Sequence, residues 1–208
     1  MFTALGRLLS PPSCAACSAE LRARTVFCVV CARAVIEIPD ARVAGVLVVA
    51  GGAYGGPLAD AVRRLKFGDR PDLASPLGDL LRASALRAGL EGDVVLPVPL
   101  HPRRLVHRGY NQAALLARRA VRSLGAPLNV DALERKRGDR PQVELSAAAR
   151  AANVEGAFVV RRPCAIEGRR VIVIDDVVTT GATAKACADA LRAAGATTVT
   201  MLALARVP

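Results

Sequence analysis

Val171-Ile-Val-Ile-Asp-Asp-Val-Val-Thr-Thr-Gly-Ala-Thr183 decides the reading of this 208-residue chain. An unbroken apolar run, Val171 to Ile174, has the character of a strand buried on both faces, and so of a central strand. It ends in two adjacent carboxylates, Asp175 and Asp176, and a Thr/Gly loop then opens a helix predicted over about 182–194. Gly181 permits a tight turn, so that successive backbone N–H groups and the helix N-terminus can converge on a phosphate. Thr179, Thr180 and Thr183 add hydroxyls for the same anion. Carboxylates beside a phosphate cradle have no use for the phosphate itself. They suit sugar hydroxyls or, through water, a Mg2+. The stretch therefore points to a phosphosugar.

Three other readings of the stretch are weaker. A Walker B strand needs a GxxxxGK[ST] loop, and the chain has none. A phospho-acceptor receiver places its acid pair at an early strand, whereas only 32 residues follow Asp176. An ordinary capped strand–turn–helix leaves the loop chemistry without a purpose.

Outward from this segment, strands and helices alternate. Val46 to Tyr54 reads as an apolar strand, Gly55-Gly-Pro57 opens a helix to about Phe67, and a further helix covers 73–88 and stops at Gly89. The stretch beginning at Asp93 is a buried strand that exits through Pro97 and Pro99. A helix is expected over 110–124, with Arg118, Arg119 and Arg122 on one face and Ala117, Val121 and Leu124 on the other. Residues 134–150 are polar and aperiodic, which predicts a long mobile loop. Phe158 to Val160 and Thr197 to Ala205 complete the strands, and residues 2–9 read as a short amphipathic helix. The pattern predicts an α/β fold with a parallel sheet flanked by helices.

The apolar fraction is 52% and the charged fraction 23%, which excludes disorder. Aromatics are 3% with no Trp, so a broad stacking platform is excluded as well. The longest uncharged run, Val43 to Ala59, is broken by five glycines and Pro57 and is too short to span a bilayer comfortably. The N-terminal stretch carries Arg7 within its apolar part and has no cleavage site, so a cytoplasmic protein is expected. The net charge of +11 is concentrated: residues 101–122 hold six Arg and no acid, and residues 133–170 hold nine basic and five acidic residues. That concentration suits a polyanionic partner, either nucleic acid or a phosphorylated small molecule. A GC-rich coding sequence would give the same Arg and Ala bias, and composition alone leaves both open.

Cys14-x2-Cys17-x10-Cys28-x2-Cys31 is the second strong signal. Two CxxC pairs a hairpin apart suit a closed tetrahedral zinc site with four thiolate ligands. Disulfides would be reduced in the cytosol, and a redox CxxC needs only one pair. The glycine that commonly follows each knuckle is replaced by Ser18 and Ala32. Residues 1–40 are expected to form the N-terminal helix and zinc-ribbon module, and residues 41–208 the α/β domain. Cys164 and Cys187 stand alone and read as packing thiols.

The segment 171–183 resembles the PRPP-binding motif of type I phosphoribosyltransferases. With the cysteine ribbon, Leu65-Lys66-Phe67-Gly68, Val98-Pro99-Leu100-His101, Arg108-Gly-Tyr-Asn-Gln112, and Leu145-Ser146 followed by Arg150 and Asn153, the chain resembles the ComF (late competence) family along nearly its whole length. The resemblance implies that Thr179, Thr180, Gly181, Ala182 and Thr183 hold the 5′-phosphate of PRPP. It implies that Asp175 and Asp176 bind the ribose hydroxyls. Pro97 to Leu100 would form the loop for pyrophosphate and Mg2+, with Arg103, Arg104 and Arg108 neutralising the leaving group and Lys66 among the PRPP-binding residues. A closing loop would bring Arg135 or Lys136 to the pyrophosphate. His101 and His107 are candidates for a phosphate contact or a plain surface role.

Two functions follow from this resemblance. One is an enzyme moving phosphoribose from PRPP to a nitrogen acceptor. The other is a noncatalytic protein of the same fold that handles single-stranded DNA with the uptake machinery, its 101–122 arginines tracking phosphates and Tyr110 stacking on a base.

Overall fold

The computed structural model describes residues 12–23, 25–68, 70–136 and 156–208. The expected helix at 2–9 and most of the expected loop at 134–150 lie outside the described residues. Four helices bury the same pattern of positions, three or four apart. They are α2 (Gly56–Phe67; Leu58, Ala61, Val62, Leu65), α3 (Ala74–Arg87), α5 (Gln112–Ala120; Ala113, Leu116, Ala117, Ala120) and α6 (Ala182–Ala193; Ala184, Cys187, Ala188, Leu191). Two shorter helices are α1 (Val29–Arg33) and α4 (Pro102–Arg108).

The strands are β1 (Ala41–Val43), β2 (Val46–Ala50), β3 (Val94–Pro97), β4 (Leu133–Arg135), β5 (Phe158–Val160), β6 (Arg170–Val178) and β7 (Thr198–Arg206). Five form one sheet in the order β1-β2-β7-β6-β3, while β4 and β5 pair as a separate antiparallel ribbon. β2, β7, β6 and β3 are mutually parallel, and β1 adds an antiparallel edge that the sequence pattern does not reveal.

Alternation along the strands divides the core into two layers. Val49, Val95, Ile172, Ile174, Leu202 and Leu204 face α2, α3 and α5. Val48, Leu96, Val171, Val173, Met201 and Ala203 face α6 and the β4–β5 ribbon. Helix α3 approaches α5 closely at Gly78, where a Cβ would come within 2.5 Å of Arg119 Cβ. The cysteine segment joins the first layer. Cys14, Ala15, Ala16, Leu21 and Phe27 share a core with α2 and α3, and Arg70 donates to Ser13 Oγ at 3.1 Å.

Several sequence expectations change here. β6 does not stop at Ile174 but runs through Val178, because Asp175, Val177 and Val178 stay in register with Ala203, Ala205 and Arg206 of β7. The helix expected over 110–124 begins at Gln112, becomes a 3-10 turn over Val121–Ser123, and is preceded by the unanticipated α4. The expected loop at 134–150 starts instead as strand, with Glu134 and Arg135 paired to β5. Arg119 is not part of a solvated face. Its guanidinium makes two 2.8 Å bonds to the Asp79 carboxylate on α3, clamping the two helices. Among the described residues, no helix is long and apolar enough to cross a membrane.

Candidate functional site

The parallel strands deliver their C-terminal ends to one edge of the sheet, where loops carry ligands in open α/β folds. β6 ends there in exposed Thr179 and Thr180, and buried Gly181 begins α6. Gly181 has φ +79°, and a Cβ on it would meet Val43 Cγ1 at 2.6 Å, so both conformation and space demand glycine. Among the described residues, no side chain caps α6, which leaves its first amides available to an anion beside half-buried Ala182 and Thr183.

Asp175 and Asp176 lie within β6, not at a loop mouth as the sequence suggests, and successive residues of a strand point to opposite faces. Asp176 faces the α2 layer and is 2% exposed. Its Oδ1 meets Lys66 Nζ at 2.7 Å, whereas its buried Oδ2 has no hydrogen-bond partner among the described residues. Asp175 is half-buried on the other face, and its Oδ1 accepts from the Asp176 amide at 2.8 Å. Burial, reinforced by the neighbouring Asp176 charge, pushes its carboxyl up to about 7, while Lys66 and Arg135 pull the other way. Arg135 lies over the Phe158 ring at 5.6 Å, and its burial and the nearby Arg104 lower its own pKa.

Beyond β3, Val98 N donates to Ile174 O of β6 at 2.8 Å, fixing the Val98-Pro99-Leu100 loop against the central strand. Asn111 Nδ2 donates to Val98 O at 3.0 Å, while its Oδ1 caps the Ala113 and Ala114 amides of α5. His101 serves as the cap of α4, its Nδ1 accepting from Arg103 N at 3.2 Å. Arg103 and Arg104 are exposed on α4. Arg108 turns back, lying over Phe67 at 5.2 Å from the ring centre and donating to Gln112 Oε1. Lys136 is exposed and bonded through its backbone to Ala157 O. An open cleft of about 580 Å3 adjoins this loop, lined by Pro99, Leu100, Leu105, Asn111, Leu133 and Arg135 among others.

Tyr110 is not a free stacking ring. It is half-buried, and its hydroxyl donates to Leu65 O at 2.6 Å. The contacts of Lys66 with Asp176 and of Tyr110 with Leu65 join residues far apart in sequence, so spacing gives no access to them. Asn before a helix does signal a cap, but its hold on Val98 is a tertiary fact.

Beside α2, where Arg64 donates to Ser18 next to Cys17, the sulfurs of Cys14, Cys17, Cys28 and Cys31 all lie within 4.8 Å of one another, and Cys17 and Cys28 are 3.8 Å apart. A tetrahedral zinc with bonds of ~2.3 Å would set its thiolates about 3.8 Å apart, so the cluster fits that metal. Burial raises the Cys14 thiol, but the amides of Cys17, Cys28 and Ala16 outweigh it and bring the pKa down to about 6. Cys31, desolvated and facing the other three cysteines, is pushed up to about 12. The crowded thiols thus resist losing all their protons together, and a cation among them would relieve that repulsion.

A parallel sheet, a glycine-turned helix N-terminus after interior strand β6 and paired acids in the last four residues of that strand are the marks of a phosphoribosyltransferase-type domain. Residues 110–208 match the Phosphoribosyl transferase domain family. The chain is 37% identical over 158 residues to the DNA utilization protein YhgH of Escherichia coli strain K12, covering 74% of this chain and 69% of that one. It is 32% identical over 161 residues to Competence protein F of Haemophilus influenzae, covering 74% and 70%. The chain belongs to this ComF/YhgH family. Among solved structures it is similar to the glutamine phosphoribosylpyrophosphate amidotransferase of B. subtilis, with 24% identity and a TM-score of 0.47, over 67% of this chain and 30% of that enzyme. The chain thus spans less than a third of that enzyme.

Proposed function

We propose that the chain binds PRPP with Mg2+ at the C-terminal edge of the sheet and transfers its phosphoribosyl group to a nitrogen acceptor. The observation that carries this reading is the conjunction at the end of β6. An uncapped helix N-terminus and a glycine at φ +79° lie beside two carboxylates that a phosphate alone would not need. In this reading Thr179, Thr180, Gly181, Ala182 and Thr183 take the 5′-phosphate, and half-buried Asp175 accepts from a ribose hydroxyl. Val98, Pro99 and Leu100 take the pyrophosphate, with Arg103 and Arg104 beyond them. Bound Mg2+ supplies charge neutralisation for the pyrophosphate. Arg135, beside Asp175, contributes cationic charge where pyrophosphate departs. Lys136 and Arg108 are more distant participants, since Lys136 is exposed and Arg108 is engaged with Phe67.

The four cysteines are assigned a structural zinc. Four thiolate ligands leave no open position, so this metal shapes the fold and does not take part in transfer. The family names favour a second, compatible reading, in which the cytoplasmic protein serves DNA use, its exposed arginines such as Arg118 and Arg122 meeting single-stranded DNA.

Titration calorimetry with PRPP and Mg2+ tests the first reading. At about 100 times its dissociation constant, the ligand should stabilise the protein by about 2.7 kcal/mol. Thr180→Val with Thr183→Val should weaken binding while leaving the unfolding midpoint of the free protein nearly unchanged, since Thr180 is exposed and Thr183 half-buried. Absence of Mg2+-dependent binding by the wild-type chain would overturn the reading.

A further inference from the structure

Three hydrogen bonds and one ion pair close a ring beside the site, and a fourth hydrogen bond ties Asp175 to it. Starting from β6, Ile174 O accepts from Val98 N at 2.8 Å, and Val98 O accepts from Asn111 Nδ2 at 3.0 Å. Next to Asn111, the Tyr110 hydroxyl donates to Leu65 O at 2.6 Å. Next to Leu65, Lys66 Nζ returns to β6 at Asp176 Oδ1, 2.7 Å away. The Asp176 amide in turn holds Asp175 Oδ1 at 2.8 Å. Outside the ring, the Arg108 guanidinium lies 5.2 Å from the centre of the Phe67 ring, a second brace between the same two segments.

The chemistry of each link is specific. Leu65 lies in the last turn of α2, whose final carbonyls have no partner within the helix, so a phenol donor is well placed there. Lys66 in that turn is favoured by the helix dipole, yet it is drawn inward to a carboxylate whose side chain is only 3% exposed. Asp176 points away from the face on which Asp175 and Arg135 lie, and its second oxygen is buried without a partner. An acid so enclosed is poorly placed to touch a sugar and well placed to hold neighbours.

We propose that Lys66, braced by Tyr110 through the Leu65 carbonyl, is a positioning residue that pins Asp176 and thereby sets Asp175 and the Val98–Leu100 loop in one fixed relation. The inference rests on the PRPP reading for its functional consequence, but not for the ring itself. Lys66 acts on the site through Asp176, the acid it pins. They make the ribose-facing acid and the pyrophosphate-facing loop one preorganised unit. The two motifs that carry them, Leu65-Lys66-Phe67-Gly68 and Arg108-Gly-Tyr-Asn-Gln112, are two halves of a single clasp.

The test uses Lys66→Gln, Lys66→Arg, Tyr110→Phe and the double variant Lys66→Gln/Tyr110→Phe, with thermal unfolding to confirm that each folds. In calorimetry with Mg2+ and PRPP, Lys66→Gln should weaken binding about tenfold, the size expected for loss of a charge-assisted bond. Lys66→Arg should restore part of it. Tyr110→Phe should weaken binding severalfold and add little in the double variant, because both act through one link. Independently of any ligand, the carboxyl carbon resonance of Asp175 should titrate at higher pH in Lys66→Gln than in wild type, since a nearby cation has been removed. Additive effects, equal affinity in all variants, or an Asp175 midpoint unmoved by Lys66→Gln would each overturn the clasp. Failure of wild type to bind PRPP would instead overturn the proposed function, with the Asp175 titration still deciding the clasp.

Discussion

Two clusters in this chain crowd groups that repel one another when ionised, and they solve the problem in opposite ways. At Asp175 and Asp176 the protein supplies its own cations, Lys66 on one face of β6 and Arg135 on the other. At Cys14, Cys17, Cys28 and Cys31, no basic side chain among the described residues is a cause of the shifts at Cys14, lowered to about 6, and Cys31, raised to about 12. The acid pair can be built before any ligand arrives, Asp176 against Lys66 and Asp175 by keeping its proton to about pH 7. A cluster that waits for an external cation cannot, and its folding becomes metal-dependent.

The largest effect expected from that difference is on the cysteine side. Zinc should be present at about one per chain, and Cys28→Ser should lose it. Stripping the metal with a chelator should cost several kcal/mol, because the metal-binding energy is folding energy for the segment that carries it. The loss should extend to α2, since Cys14, Leu21 and Phe27 share its core. Elemental analysis and urea unfolding check both statements, and a metal-free preparation of undiminished stability would break the comparison.

Next in size comes the interior pair. Asp176→Asn removes the carboxylate that Lys66 meets at 2.7 Å, and should destabilise the protein by about 2 kcal/mol. Asp175→Asn should act in the opposite direction. Because the folded-state pKa is raised from 3.8 to about 7, the folded chain holds a proton that the unfolded chain has released between those values. Stability of the free protein therefore falls as pH rises from about 4 to about 7, and levels off above that. Asp175→Asn should abolish this slope and gain about 1–2 kcal/mol at pH 8, solvent at the half-exposed side chain screening part of the effect. At pH 4 the variant and wild type should be nearly equal. Urea midpoints at both pH values measure it.

These contrasts also show what sequence reading can reach. The strand, the Thr/Gly loop and α6 are legible because each depends on local chemistry: an apolar run, a glycine at positive φ and a 3.6-residue period. The cysteine cluster is legible because ligand spacing alone defines it. What the sequence hides is set by distant pairing. β6 extends past Ile174 only because β7 continues beside it, and that extension sends Asp175 and Asp176 to opposite faces. Lys66 reaches Asp176 from a helix more than a hundred residues earlier. Helix α4 is hidden for a different reason. The sequence reading passes from the strand exit at Pro97 and Pro99 straight to the helix at 110, although Pro102 in the first turn, a histidine cap and Gly109 at φ +77° are the marks of a short helix.

The smallest effect expected separates cations with a partner from those turned to solvent. Arg119 is held by Asp79 in a two-bond fork, so including it in a test of nucleic-acid binding would mix helix clamping with surface charge. Arg118 and Arg122 are exposed on the same helical stretch. Arg118→Ala with Arg122→Ala should leave stability within about 0.5 kcal/mol of wild type, the usual range for surface substitutions. If this face meets single-stranded DNA, the double variant should bind it severalfold more weakly. The slope of log affinity against log salt should also shrink by about 0.7 for each phosphate no longer neutralised. Binding of PRPP should not change, because the Val98–Leu100 loop and the α6 N-terminus are untouched. Arg103→Ala with Arg104→Ala should give the reverse pattern if α4 flanks the pyrophosphate. An unchanged salt slope in the Arg118/Arg122 variant would remove that face from nucleic-acid binding and leave the basic stretch at 101–108 to a small anionic ligand.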